Sequence, residues 1–181
     1  MKNADDVLQF WFVDHGPDDW FGGKPEFDAA LSESFAETHA RVGKAEAWTW
    51  RHSPAGRLAE IIVLDQFSRQ LHRRTAKAFA WDSMALALAQ EALALDADHA
   101  VQAIRRPFFY LPFMHSESII IQHEGVRLYQ ALGDPEQLQF MLDHLHAIER
   151  FGRFPFRNKA LGRTSTPEEE HYMAEAGDRR F

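Results

Sequence analysis

Apolar residues recur along this chain at spacings of three and four, and helix caps bound the runs they form. Val7, Leu8, Trp11 and Phe12 make the stripe of a first helix over 4–13, with Asn3 as N-cap and His15-Gly16-Pro17 as the stop. Trp20 and Phe21 follow, just before Gly22-Gly23, and read as a plug tying the loop to the core rather than as a gate over a pocket. Pro25 opens a second helix through Phe27, Leu31, Phe35 and Thr38, ended by Gly43, and a short helix over 45–50 is expected to pack through Trp48. Ser53-Pro54 opens a helix over about 54–70 with Leu58, Ile61, Ile62 and Leu64 inward. The Ala- and Leu-rich segment 79–95 predicts another, and 98–104 adds a turn.

Pro107 and Pro112 bracket the aromatic stretch Phe108-Phe109-Tyr110-Leu111. Ser116 reads as the cap of a helix over 117–132 that Gly133 ends. Asp134-Pro135 opens the next, with Leu138, Met141, Leu142, Leu145 and Ile148 on its apolar side and Gly152 as its stop. Thr166-Pro167-Glu168-Glu169 is a capping box for a last helix reaching Ala176. No stretch alternates with period two. The fold class expected is all-α, a multi-helix antiparallel array in one domain over 1–181, with no internal repeat of fixed period.

Composition narrows the function classes. The absence of cysteine removes disulfides, thiolate metal sites and cysteine nucleophiles, and fits a reducing compartment. No basic region precedes an apolar run at the start, so no signal peptide is expected. Apolar runs such as 61–64 and 119–121 fall far short of the roughly 20 residues of a membrane span. A formal net charge of −7 argues against broad nucleic-acid binding. The expectation is a soluble cytoplasmic protein with no membrane partner.

Against that acidic background the stretch from Arg150 to Arg163 holds Arg150, Arg153, Arg157, Lys159 and Arg163 with no acid among them. Phe151, Phe154 and Phe156 alternate with the bases, and Gly152, Pro155 and Gly162 bend the backbone. Planar guanidinium forks at Arg150, Arg153 and Arg157, with Asn158 beside them, suit a phosphate or carboxylate. The competing reading has these arginines neutralise Glu168 to Glu170 and pin the last helix. On another helix Asp65 and Arg69 lie one turn apart with Gln66 beside them, either orienting a ligand or forming an ion pair on a solvated face. His115-Ser116-Glu117 offers an imidazole and a carboxylate for acid–base work. His144 and His146, two apart on a helix, point to nearly opposite sides and cannot chelate one ion together. No residue pattern names a metal or a cofactor.

These segments also carry a resemblance. Residues 7–12 (Val-Leu-Gln-Phe-Trp-Phe), 64–69 (Leu-Asp-Gln-Phe-Ser-Arg), 108–117 (Phe-Phe-Tyr-Leu-Pro-Phe-Met-His-Ser-Glu) and 150–158 (Arg-Phe-Gly-Arg-Phe-Pro-Phe-Arg-Asn) resemble the bacterial family catalogued as domain of unknown function 924. Leu161-Gly162-Arg163 and Thr166-Pro167-Glu168-Glu169 continue the match. The resemblance implies an all-helical, TPR-like fold and no activity. Gln9, Ser68, Gln70 and Phe156 depart from its pattern, standing for an acid, a proline, an asparagine and a histidine. A chemical role for a histidine at 156 is therefore lost here.

Two functional expectations follow. The first is a helical domain with a pocket for a small anionic ligand, in which Gln66, Arg69, Arg150, Arg153, Arg157 and Asn158 bind. Asp65, His115 and Glu117 would supply acid–base groups if the pocket is catalytic. The alternative is a TPR-like module that reads a peptide along a groove.

Overall fold

The computed structural model describes residues 1–21 and 23–176, so Gly22 of the Gly22-Gly23 pair lies outside them. Among the described residues there are helices, turns and loops and no strand, as the period of the apolar positions requires. No helix among them is long and apolar enough to cross a membrane. They form two compact units, one made of 1–73 with 77–109, the other beginning at Tyr110 and taking in 74–76.

In the first unit, α1 (Ala4–Gln9) starts on a capping box. The Asn3 side chain accepts from the Asp6 N–H at 2.9 Å while the Asp6 carboxylate takes the Asn3 N–H at 2.8 Å. The helix widens into a π turn over Phe10–Asp14. After α2 (Pro17–Trp20) and α3 (Pro25–Val42), α4 (Pro54–Ile62) widens in the same way over Val63–Phe67 and closes with α5 (Ser68–Leu71). The predicted helix over 54–70 is thus one rod with a π turn inside it. The wide turns meet through their rings, with Trp11 and Phe67 at 5.5 Å between centroids and Phe10 and Phe67 at 6.3 Å. Around them Leu31, Leu58, Ile61, Ile62 and Leu64 are fully buried, each contributing about 1.5–3 kcal/mol of transfer free energy. α6 (Asp82–Ala94) lays its small face, Ala85, Ala89 and Ala92, inward and packs on α4.

Trp20 is the expected plug. It stacks on Trp11 at 5.5 Å and donates from Nε1 to the Trp11 carbonyl at 2.7 Å. Phe21 does not share that role, being 68% exposed. The short helix before Ser53 is a 3-10 turn, Trp48–His52, and packs through neighbouring Ala47, because Trp48 itself is 60% exposed. The predicted helical turn at 98–104 reduces to 3-10 geometry at Ala103–Arg105.

The bracketed aromatic stretch is itself helical, α7 (Pro107–Met114), with Pro112 inside it. Pro107 suits a first turn, whereas Pro112 has no N–H to give the Phe108 carbonyl. Dense burial of Phe109, Tyr110 and Phe113 offsets that lost bond.

In the second unit Ser116 is not the cap. α8 (Ile119–Leu132) begins after Ser118, leaving Glu117 in the loop. Gln122 reaches back from α8 and donates to the carbonyls of Met114 and Ser116 at 2.8 and 2.7 Å, satisfying the end of α7. Gly133 and the N-cap Asp134 turn the chain into α9 (Pro135–Phe151), and the two helices pack as a hairpin. The inner line of α9 is Met141, His144, Ala147 and Ile148, while His146 is exposed, as residues two apart on a helix must be. Gly152, at φ +68°, ends α9 in the left-handed region. A 3-10 turn, Pro155–Arg157, leads on to α10 (Pro167–Ala176).

Candidate functional site

Within the second unit the arginine turn and the loop after α7 come together. Arg163 grips Glu117 with both arms, at 2.7 and 2.9 Å, and the Phe154 N–H donates to the same carboxylate at 2.8 Å. Arg157, 4% exposed, lies over the Phe154 ring at 4.4 Å and donates to the His115 carbonyl at 3.0 Å. Burial pushes the Glu117 carboxyl up, but Arg163 and the Phe154 N–H outweigh it and hold it below the ordinary glutamate value. This contact is why α8 starts late: Glu117 is drawn out of the helix to meet Arg163.

The remaining forks also find carboxylates of their own chain. Arg153 pairs with Glu169 in two hydrogen bonds of 2.6 and 2.8 Å, and Asn158 donates to Ser165 and to Glu169. The Arg153 guanidinium holds the Glu169 carboxyl down to about 2 against the opposing effect of burial. Glu169 also closes the capping box, taking the Thr166 N–H at 2.8 Å. Arg150 pairs with Glu168 at the surface. Planar recognition of carboxylate, read from the sequence, is therefore present as an internal clamp pinning α10 to the turn. Arg163, which holds Glu117 rather than α10, was the member of the stretch given no role; its place in the acid-free stretch was the available signal.

Asp65, Gln66 and Arg69 belong to the first unit. Asp65 is 1% exposed, so its pair with Arg69 does not sit on a solvated face. Arg69 binds Asp82 as well, through both arms at 3.1 Å, and the Gln66 amide donates to Asp65 at 2.5 Å. Burial disfavours the Arg69 charge, yet Asp65 and Asp82 keep its pKa above the ordinary arginine value. The pair ties the π turn to the start of α6.

A concave site of different chemistry lies in this first unit. A pocket of about 410 Å³ is lined by His39, Gly43, Lys44, His72, Lys77 and Trp81, with further lining from α3 and Leu71. Its floor is His39, 2% exposed, whose Nε2 lies 2.8 Å from the Ser68 hydroxyl. One wall is Trp81, edge-on to His39 at 4.7 Å and stacked with His72 at 6.1 Å. The indole N–H donates to the Gly43 carbonyl at 3.1 Å, and a Cβ on residue 43 would lie 2.6 Å from that nitrogen. Only glycine lets the tryptophan seat there.

Desolvation, with help from His72, depresses His39 to about 4, and burial together with nearby Lys77 lowers His72. Both imidazoles are therefore uncharged at neutral pH, and the charge at the rim comes from Lys44 and Lys77. Neither ammonium makes an ion pair among the described residues. Apart from Gly43, which the sequence marks as the end of the second helix, none of these residues stands out in the sequence. Sparse lysines on separate segments carry no local pattern.

Comparison with known proteins agrees with the fold and adds no activity. A family model described as bacterial protein of unknown function (DUF924) matches residues 7–177. A solved structure of a protein of unknown function from Agrobacterium tumefaciens is 39% identical in sequence and superposes with a TM-score of 0.91. The alignment covers 95% of this chain and 97% of that one. No curated protein matches.

Proposed function

We propose that this chain, which belongs to the DUF924 family of bacterial proteins of unknown function, binds a small anionic molecule, a phosphate or a carboxylate, in the pocket of its first unit. The carrying observation is the pair of rim lysines, Lys44 and Lys77, unpaired with carboxylate among the described residues and set over a floor and wall of neutral rings. Lys44 feels the Glu46 carboxylate only through space, Glu46 being paired with Arg41, and two ammonium groups beside a low-dielectric wall raise the local concentration of anions. The arginine turn suits this role less, because its guanidiniums are held by Glu117, Glu168 and Glu169 or, for Arg157, by a carbonyl and a ring.

Calorimetric titration with inorganic phosphate and with acetate tests the reading. Lys44→Gln with Lys77→Gln should weaken binding at least tenfold, while Arg153→Ala should keep the affinity and lose stability. Loss of binding in Arg153→Ala, with the lysine double variant unaffected, would move the site to the arginine turn.

A second reading, a peptide-binding module, is favoured by exposed Ile119 and Ile120 at the start of α8. They adjoin a groove lined by Glu117, His123, Ile148 and Glu149. Under that reading the chain binds peptides that set an apolar residue beside a basic one, and ignores phosphate.

A further inference from the structure

The hydrogen bonds beneath the pocket say which proton each group holds. Ser68 Oγ lies 2.6 Å from the Leu64 carbonyl, which can only accept, so the single hydroxyl proton is committed there. At 2.8 Å from His39 Nε2, the same oxygen must then accept. His39 is therefore the Nε2–H tautomer, and its Nδ1 is a bare lone pair. Desolvation of this nearly buried ring keeps the second proton off at neutral pH. Nδ1 makes no hydrogen bond among the described residues, and the ring lines the pocket.

Floor and rim thus ask for opposite things. Lys44 and Lys77 attract oxygen anions, whereas a lone pair at the floor repels them and accepts only from O–H or N–H. A plain carboxylate reaching the floor would set oxygen against nitrogen with no proton between. We infer that the pocket is built for an anion that carries its own hydroxyl, a hydroxy acid, with the carboxylate at Lys44 and Lys77 and the hydroxyl donated to His39 Nδ1. This rests on the anion reading above. The Trp81 and His72 rings give the carbon skeleton an apolar wall, and the seat of Trp81 on Gly43 fixes that wall in place.

The test compares lactate with propionate, which differ in this context by one hydroxyl, on the unaltered protein, so no variant need fold. Long-range proton–nitrogen NMR of the 15N-labelled chain reads both ring nitrogens of His39. Without ligand the ring should show the Nε2–H pattern. Lactate should move the Nδ1 resonance toward the value of a hydrogen-bonded acceptor and bind about fivefold more tightly, the worth of one net hydrogen bond. Propionate at equal occupancy should leave Nδ1 in place. If both bind equally and Nδ1 stays put, the hydroxy-acid inference is overturned and the anion reading stands. If lactate, propionate and phosphate all leave the Trp81 and lysine signals unmoved, the anion reading falls and takes this inference with it.

Discussion

At Glu169 one carboxylate accepts from Arg153, from Asn158 and from the Thr166 backbone, and is nearly buried while doing so. Glu169→Gln keeps the shape and removes the charge, leaving the Arg153 guanidinium unpaired. The expected cost is about 2–4 kcal/mol at neutral pH, read from the urea midpoint. The folded pKa, about 2, lies below the ordinary 4.5, so the stabilisation is complete above 4.5 and is lost as pH falls toward 2. The gap between wild type and variant should therefore close over that window, and a gap independent of pH would contradict the ion-pair account. The Thr166 to Glu169 box was legible in the sequence because both partners sit within one turn. The Arg153 partner was legible only as a group, the arginines against Glu168 to Glu170, since nothing local to Arg153 says which of those carboxylates it takes.

Elements were legible where their ends are set locally. Asn3, Ser53, Asp134, Gly133 and Gly152 all close or open helices as their chemistry requires. They were illegible where tertiary contacts decide. Glu117 is withdrawn from α8 by Arg163, and Pro112 is accepted within α7 because aromatic burial outweighs one missing backbone bond. Gly56 and Gly152 separate two reasons for glycine. A Cβ on residue 56 would lie 2.0 Å from the Trp50 carbonyl oxygen, a backbone atom that cannot rotate away. Gly56→Ala should cost about 3 kcal/mol. Gly152 has open space around it and only a positive φ to defend, so Gly152→Ala should cost about 1 kcal/mol. Thermal melts of the two variants check the order, and a reversed order would refute this assignment of causes.

For the molecule as a whole, a net charge of −7 sets a background that repels anions, against which Lys44 and Lys77 act only at short range. Added salt shortens the reach of both, with a Debye length of about 8–10 Å at moderate ionic strength. Phosphate affinity should depend more steeply on sodium chloride in the unaltered protein than in Lys44→Gln with Lys77→Gln, because the lysines add a screened attraction to the same background; equal dependence in the two would mean the lysines do not hold the ligand. The fold class was legible as a period, but the pocket was not, because its residues come from three separate stretches: α3 with the turn after it, the end of α5, and the segment before α6. The measurement that bears most directly on the anion site is an NMR pH titration of the His72 imidazole, with and without millimolar phosphate. Burial and Lys77 hold His72 below the ordinary histidine value in the free protein. An anion on Lys77 cancels part of that repulsion, so the midpoint should move up when phosphate is present. The same midpoint in both titrations would contradict an anion site at Lys44 and Lys77.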